Sequence, residues 1–394
     1  MPGYRILYLA RWFPDPPDNG AKLRCFGHLE ALAEAHEVTL LGFAEGEAAE
    51  TRSARHCRRV ATVPWRPFQP GSWRARAGFF GDKPRSLSDT FSEEMRALVE
   101  AEVRSHSYDV AVVSTLDMTS YAPWLASTPA IVDDLELGIY LDARHVTSFA
   151  RRSRAALTWV KLTRYLRGLL PRFRVTMVAS ADEARLFRSI APEYGGIRVL
   201  ENSIDTATPA EVPRRANLIV FAGSLDYMPN REAMEWFCRR IFPHIRTAIP
   251  QAELAISGRL PRIPFEAPEG VRLLGHVDDI RALVASAAVS VAPIRRGGGT
   301  RLKILEAMAL GVPVVSTSKG AEGIDIVHGQ HFLVADEEES FAAQVVRLLR
   351  HDDLSRRLAG PAQELIRRRY DRRVVGRRFR DLVEAVVETG ASRR

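Results

Sequence analysis

Apolar residues in this chain fall into short runs of strand length, separated by polar segments whose apolar positions recur every three to four residues. In the first half, the runs at 4–10, 37–43, 108–114 and 130–132 are near-continuous. In the second half they are 218–221, the cores of AELAISGR and VRLLGHV, 289–293 and VPVVST. Such runs, apolar on both faces, read as strands of a parallel sheet. Between them, His28, Leu29, Leu32 and Ala33, and later Leu302, Leu305, Ala309 and Leu310, have helical spacing. Strands alternating with helices predict an α/β protein with doubly wound parallel sheets. The polar, proline-containing stretch 206–216 reads as a linker between a domain at 1–205 and one at 217–370, with a last helix at 371–394.

One unit of this pattern carries chemistry. The run 289–293 leads into Gly297, Gly298 and Gly299, and Thr300 stands where a helix N-cap belongs. A helix is expected over 300–310, closed by Gly311. Glycines allow close backbone approach, and the first amides of a helix lack partners within it, so such a turn suits an anion. Arg295, Arg296, Arg301 and Lys303 place cations around it, and Glu306 follows Lys303 on the same helix face. A diphosphate beside Lys303 and a ribose diol on Glu306 would use both groups. The alternative is an ordinary helix terminus with solvated charges. Gly223, Gly258 and Gly275 each follow a strand and outline a crevice at the carboxyl ends of the second sheet, as Gly20 does for the first. No GxGxxG fingerprint accompanies them.

The text GGGTRLKILEAMALGVPVVSTSKGAEGI resembles the donor-nucleotide signature of the retaining glycosyltransferases of family 4, the glycosyl transferases group 1. FAGSLDYMPN, ISGRLP and GHVDDI resemble further blocks of that family, and IRVLENSID resembles its strand leaving the first domain, with Asn202, Ser203 and Asp205. The resemblance implies a GT-B fold: two Rossmann-like domains facing a cleft, the N-terminal one on the acceptor side, with the last helix returning to it. It implies that Glu306 binds the ribose, while Gly20, Gly223, Ser224, Gly298, Gly299, Thr300 and Lys303 face the donor. Arg259, His276 and Val277 would border the base. Arg301 and Lys303 would carry the charge of the departing diphosphate, and Asp117 stands near a position where many relatives keep a histidine. Two departures are visible. Gly298 occupies the place of a second glutamate, as in a subgroup with Gly-x-Gly-Thr-Arg-Leu-Lys, and Asp226, Tyr227 and Met228 stand where relatives often have Arg and Lys.

Composition adds bounds. With 394 residues, 46% hydrophobic and 26% charged, the chain can bury two cores of ordinary size. Cys25, Cys57 and Cys238 lack metal or redox spacing, so no metal site is expected. The N-terminal apolar run is too short for a signal peptide, and no stretch approaches the ~20 apolar residues of a membrane span. The expected location is cytoplasmic, with peripheral attachment at the inner face of the membrane as an option. The net charge of +8 is concentrated. Segment 52–85 interleaves basic residues with Trp65, Phe68, Trp73, Phe79 and Phe80, and the arginine-rich segment 142–174 reads as a long helix with Leu157, Val160, Leu166 and Leu169 on its apolar side. Each is either a solvated face or a surface for anionic lipid. Asp133, Asp134 and Glu136, after the run 130–132, read as caps or surface charges, or as groups orienting an acceptor hydroxyl.

The expected function is a retaining glycosyltransferase of hexosyltransferase type. It would move a sugar from a nucleoside diphosphate sugar to a hydroxyl acceptor, a polysaccharide or glycolipid precursor that is lipid-linked in one version. Neither metal nor further cofactor is expected. Nucleic acid is not an expected partner, because the aromatics cluster in one basic segment and no binding motif is present. A sugar-nucleotide epimerase or phosphorylase of similar fold, a non-catalytic sugar- or nucleotide-binding protein, and a polyanion-binding protein are the alternatives.

Overall fold

The computed structural model describes residues 3–44, 51–133, 135, 137, 140, 149–207, 212–260 and 265–391. The chain divides into two compact units, Met1–Ser203 with Arg373–Arg394, and Ile204–Arg372.

The first unit is a seven-stranded parallel sheet of β1 (Arg5–Ala10), β2 (Glu37–Ala44), β3 (Arg59–Pro64), β4 (Val110–Ser114), β5 (Ala130–Asp133), β6 (Val175–Val178) and β7 (Ile197–Val199). Their order is β3-β2-β1-β4-β5-β6-β7. Side chains alternate across a strand, so β1 feeds two cores. Ile6, Tyr8 and Ala10 pack with Leu29 and Leu32 of helix α1 (Gly20–Ala33), and with Phe379 and Val383 near the chain's end. Leu7 and Leu9 pack on the other face, whose cover includes Leu162, Leu166 and Leu169. A short helix, α2 (Trp73–Ala77), precedes the long α3 (Phe149–Leu169). Leu157 and Val160 of α3, expected on one apolar side with Leu166 and Leu169, are exposed instead. At 100° per residue they fall on the side opposite the buried leucines.

A buried ion pair locks this unit. Arg24, reaching from α1, grips the Asp133 carboxylate at the end of β5, Nε to Oδ2 at 2.9 Å and Nη2 to Oδ1 at 2.6 Å. Its Nη1 also donates to the carbonyl oxygens of Leu200 and Glu201 and to Asn202 Oδ1. One turn on, His28 Nδ1 lies 3.2 Å from the Tyr8 hydroxyl, and its ring stacks on Phe379 at 3.9 Å. Burial pushes the His28 pKa down to about 3, so the ring is neutral. Asp133 is therefore neither cap nor surface charge nor free to orient an acceptor. Asp134 and Glu136 lie outside the described residues.

The second unit is a six-stranded parallel sheet of β8 (Arg215–Ala222), β9 (Glu253–Ser257), β10 (Val271–Gly275), β11 (Ala287–Ala292), β12 (Val314–Ser316) and β13 (Leu333–Val334). Their order is β10-β9-β8-β11-β12-β13. Strand β8 begins inside the stretch expected to be linker. Arg281 of helix α5 (Ile280–Ala285) anchors the preceding segment by donating to the carbonyl oxygens of Asp205, at 2.8 Å, and Ala207. Helix α4 (Met228–Trp236) passes into a π turn, Phe237–Ile241, before continuing as Phe242–Ala248. The irregular turn falls just before Pro243, which has no N–H for a regular ladder. Helix α6 (Leu302–Ala309) buries Ile304, Leu305 and Met308 against Leu218 and Val220 of β8. The final helix, α7 (Arg372–Ala391), carries Val375 and Phe379 into the first unit's core.

In both sheets the strand order reverses beside the first strand, between β1 and β4 and between β8 and β11. Open α/β sheets bind ligands outside the carboxyl ends at such a switch point.

Asp133→Ala leaves the Arg24 guanidinium buried without its counter-ion. The expected loss is about 3–5 kcal/mol of stability, read as a lower midpoint in urea unfolding. A loss below about 1 kcal/mol would show that the pair contributes little.

Candidate functional site

The carboxyl ends of β8 and β11 gather several of the residues expected on the donor side. β8 delivers Gly223 and Ser224. The Leu225 amide donates to the carbonyl oxygen of Arg259 at 2.9 Å, so the loops after β8 and β9 are laced together. Gly258 adopts φ +123°, and a Cβ there would lie 2.5 Å from the Gly223 carbonyl carbon. Only glycine lets these two strand ends approach so closely.

After β11 the chain forms the glycine loop. Gly297 and Gly299 have φ +97° and +77°, a left-handed conformation that glycine adopts without strain. Arg301 is buried and folds back over the loop, its guanidinium donating to the carbonyl oxygens of Arg296, Gly297, Gly298 and Gly299. A Cβ on Gly297 would meet the Tyr227 hydroxyl, the Pro229 ring and the Arg301 guanidinium together, at 3.1, 3.2 and 3.3 Å. Thr300 does not cap the helix. Arg301 occupies the cap position, and α6 starts at Leu302, two residues later than expected. Arg301's donors close the loop rather than stand free for a phosphate. Arg295 stacks on Trp236 at 4.9 Å, and Arg296 lies 3.7 Å from Glu232.

Lys303 stands at the strand end. It is half-buried, lies 3.9 Å from the centroid of the Phe221 ring, and donates to Asn230 Oδ1 at 2.9 Å. The Asn230 amide in turn donates to the Ser224 carbonyl oxygen at 2.8 Å. A Cβ on Gly223 would lie 2.6 Å from Lys303 Nζ and 2.9 Å from Asn230 Nδ2. The missing side chain is what admits the ammonium. Burial, and then the nearby Arg301 cation, push the Lys303 pKa down to about 7, against the opposing pull of Glu306. Glu306, one turn further on, has its pKa raised by burial, opposed by Arg281 and Lys303. Its carboxylate accepts no hydrogen bond among the described residues. Two titratable groups of opposite charge thus lie within electrostatic reach of each other, each partly desolvated.

The remaining expected residues lie further out. Arg259 and His276 are exposed, His276 with Asp278 at 3.7 Å, and Val277 is half-buried. Gly275 has φ +66° with open space around it. Gly20 and Asp117 belong to the first unit. Gly20 is the exposed first residue of α1, after the cap Asn19. Asp117 follows β4; one oxygen accepts from Thr90 at 3.2 Å and the other pairs with Arg11, whose guanidinium lies 4.5 Å from both the Trp12 and Trp65 rings. Asn230 was missed as a site residue. The sequence marks it only as the opening of a helix after Pro229, and nothing local reveals a lysine 73 residues away.

Residues 216–351 match the family profile described as Glycosyl transferases group 1. The match lies within the second unit. Among curated proteins, the chain is 30% identical over 191 residues to a phosphatidyl-myo-inositol mannosyltransferase of Mycobacterium leprae, covering 46% of this chain and 50% of that protein. It is 26% identical over 169 residues to a 44.6 kDa protein in the cps region of Klebsiella pneumoniae, covering 40% and 43%. The chain thus spans about half the length of the curated relatives it matches. Two solved structures resemble it over nearly its whole length. Anabaena HepE, in complex with UDP and glucose, has a TM-score of 0.69 at 16% identity and covers 97% of this chain and 100% of its own. Sucrose-phosphate synthase of Thermosynechococcus elongatus has the same score and identity, at 98% and 100% coverage. The two parallel-sheet domains form the GT-B fold.

Two glycine substitutions separate strain from site. Gly258→Ala meets backbone at a left-handed φ, and the expected cost is about 1–3 kcal/mol in thermal or urea unfolding. Gly223→Ala meets the flexible ends of Lys303 and Asn230, so a much smaller stability loss is expected, with weakened nucleotide binding. Equal losses of stability in both would show that Gly223 serves the backbone and not the lysine.

Proposed function

We propose that this chain is a retaining glycosyltransferase acting on a nucleoside diphosphate sugar. The bond from the anomeric carbon to the diphosphate breaks, a bond to an acceptor hydroxyl oxygen forms, and the hydroxyl proton is released. The observation that carries this reading is the Lys303 ammonium, held by Asn230 at the Gly223 strand end, beside the β8/β11 switch point. A cation in a partly desolvated site stabilises a departing diphosphate far better than one in water. Glu306, whose carboxylate accepts no hydrogen bond among the described residues, would accept from the two hydroxyls of a ribose. Gly298, Gly299 and Thr300 contribute backbone to the same wall, and Ser224, Arg259, His276 and Val277 flank it. Arg301 acts through the loop that it closes. Asp117 remains the proposed acceptor-side residue, acting together with Arg11.

UDP is the first nucleotide to try, since HepE is solved with UDP and with UDP-glucose. The acceptor is proposed to be a hydroxyl of a polysaccharide or glycolipid precursor. The cps-region protein and the mannosyltransferase support that class. The charge of the leaving group is assigned to Lys303 and backbone amides, so turnover is expected to persist in EDTA.

A thermal-shift series with UDP, GDP, ADP and TDP tests the reading. At 100 times its dissociation constant, a ligand adds about 2.7 kcal/mol of stability. One diphosphate is expected to stabilise the wild type, with the shift lost in Glu306→Ala. No response to any of the four, or an equal response in the variant, contradicts the assignment. Turnover of the sugar nucleotide without an acceptor would point to an epimerase instead.

A further inference from the structure

The first unit carries a surface that the transferase reading does not use. Two segments far apart in sequence form it. Lys161 of α3 donates from Nζ to the carbonyl oxygen of Gly78 at 3.0 Å and to that of Phe79, and Lys83 lies 5.8 Å from the Tyr165 ring centroid. The loop bearing α2 is thereby fixed against α3. Within the loop, Ser72 and the Gln69 amide are tied to Asp89, and Arg85 donates to the carbonyl oxygens of Ala75 and Pro70 while lying 4.1 Å from the Phe79 ring. So stiffened, the loop nevertheless leaves Trp73 74% and Phe80 95% exposed. On α3, Phe149 is 84% and Val160 60% exposed, and Leu157 is exposed too. Phe149, Leu157 and Val160 share one face of α3, opposite the side that buries Leu162, Leu166 and Leu169. Among the described residues, nothing covers this second, solvent-facing apolar side of the helix.

The charge identifies the partner. Residues 65–85 and α3 together contain eleven lysines and arginines and one acid, Asp82, an excess larger than the net charge of the entire chain, +8. The rest of the protein is slightly acidic by comparison. Arg76, Arg152, Arg154 and Arg164 are exposed as well, and at 100° per residue Arg164 falls on the same face of α3 as Leu157 and Val160. Nucleic acid would use the aromatic rings for stacking and leave Leu157 and Val160 without benefit. A layer with anionic headgroups over acyl chains uses both kinds of side chain.

We infer that this face docks on an anionic lipid bilayer, with Trp73, Phe80, Phe149, Leu157 and Val160 entering the headgroup region and the arginines contacting lipid phosphates. The inference stands apart from the donor-side reading and does not depend on it.

Co-sedimentation of the full chain with vesicles tests it. Binding is expected to phosphatidylcholine vesicles containing phosphatidylglycerol and to fall as salt rises, with little binding to phosphatidylcholine alone. Phe80→Ser/Phe149→Ser/Val160→Ser and, separately, Arg152→Glu/Arg154→Glu/Arg164→Glu are each expected to weaken binding about tenfold or more. Their melting temperatures and UDP shifts should stay at wild-type values, since all six side chains are exposed. Failure to bind anionic vesicles, or unchanged binding by the apolar variant, overturns the inference. Tight binding to a single-stranded oligonucleotide without vesicle binding would reassign the surface to nucleic acid.

Discussion

The geometry of the second unit's strand ends depends on a steric exclusion. Lys303 can bring its ammonium to the end of β8 because residue 223 has no side chain. That placement determines much else. Asn230 must open α4 where its amide spans the Ser224 carbonyl and the lysine. Gly258 must let its own backbone pass close to that of Gly223. Arg301 must be drawn back over the glycine loop, where it shapes the wall and adds a positive field that lowers the Lys303 pKa. A desolvated cation is costly to hold, and an adjacent anion offsets that cost.

The first unit solves a different problem with a similar device. Its sheet also reverses beside the first strand, and charged groups reach the interior near that point. Here the charges are satisfied internally. Arg24 spends its donors on Asp133, two carbonyl oxygens and Asn202, and it joins α1, β5 and the segment after β7. Such a network contributes definition to a fold as much as stability, because one missing partner leaves a buried charge. Arg11 and Asp117, nearer the surface, form a second pair flanked by Trp12 and Trp65.

Much of the fold was legible because parallel strands buried on both faces are written as continuous apolar runs, and helices between them as three-to-four spacing. The glycine loop, Lys303 and Glu306 were legible for a related reason: strand, glycines and helix are adjacent in the chain. What stayed hidden was non-local. The partner of Lys303 lies on another helix, and the guanidinium of Arg301 turns onto carbonyls that carry no side-chain signal. Asp133 read as a surface acid because Arg24 lies 109 residues away. On α3, apolar residues at 157, 160, 166 and 169 look like one stripe in the text, yet at 100° per residue they divide into a buried and an exposed face.

The central claim is that a partly deprotonated Lys303 takes up the charge of a nucleoside diphosphate. Calorimetric titration of UDP at pH 8, in buffers of differing ionisation enthalpy, measures the protons taken up on binding. With a pKa near 7 in the free protein, Lys303 is mostly neutral at that pH, and an adjacent diphosphate raises its pKa. The account predicts uptake approaching about one proton per nucleotide in the wild type and none in Lys303→Met. Binding with no proton uptake in the wild type, or the same uptake in both proteins, would contradict it.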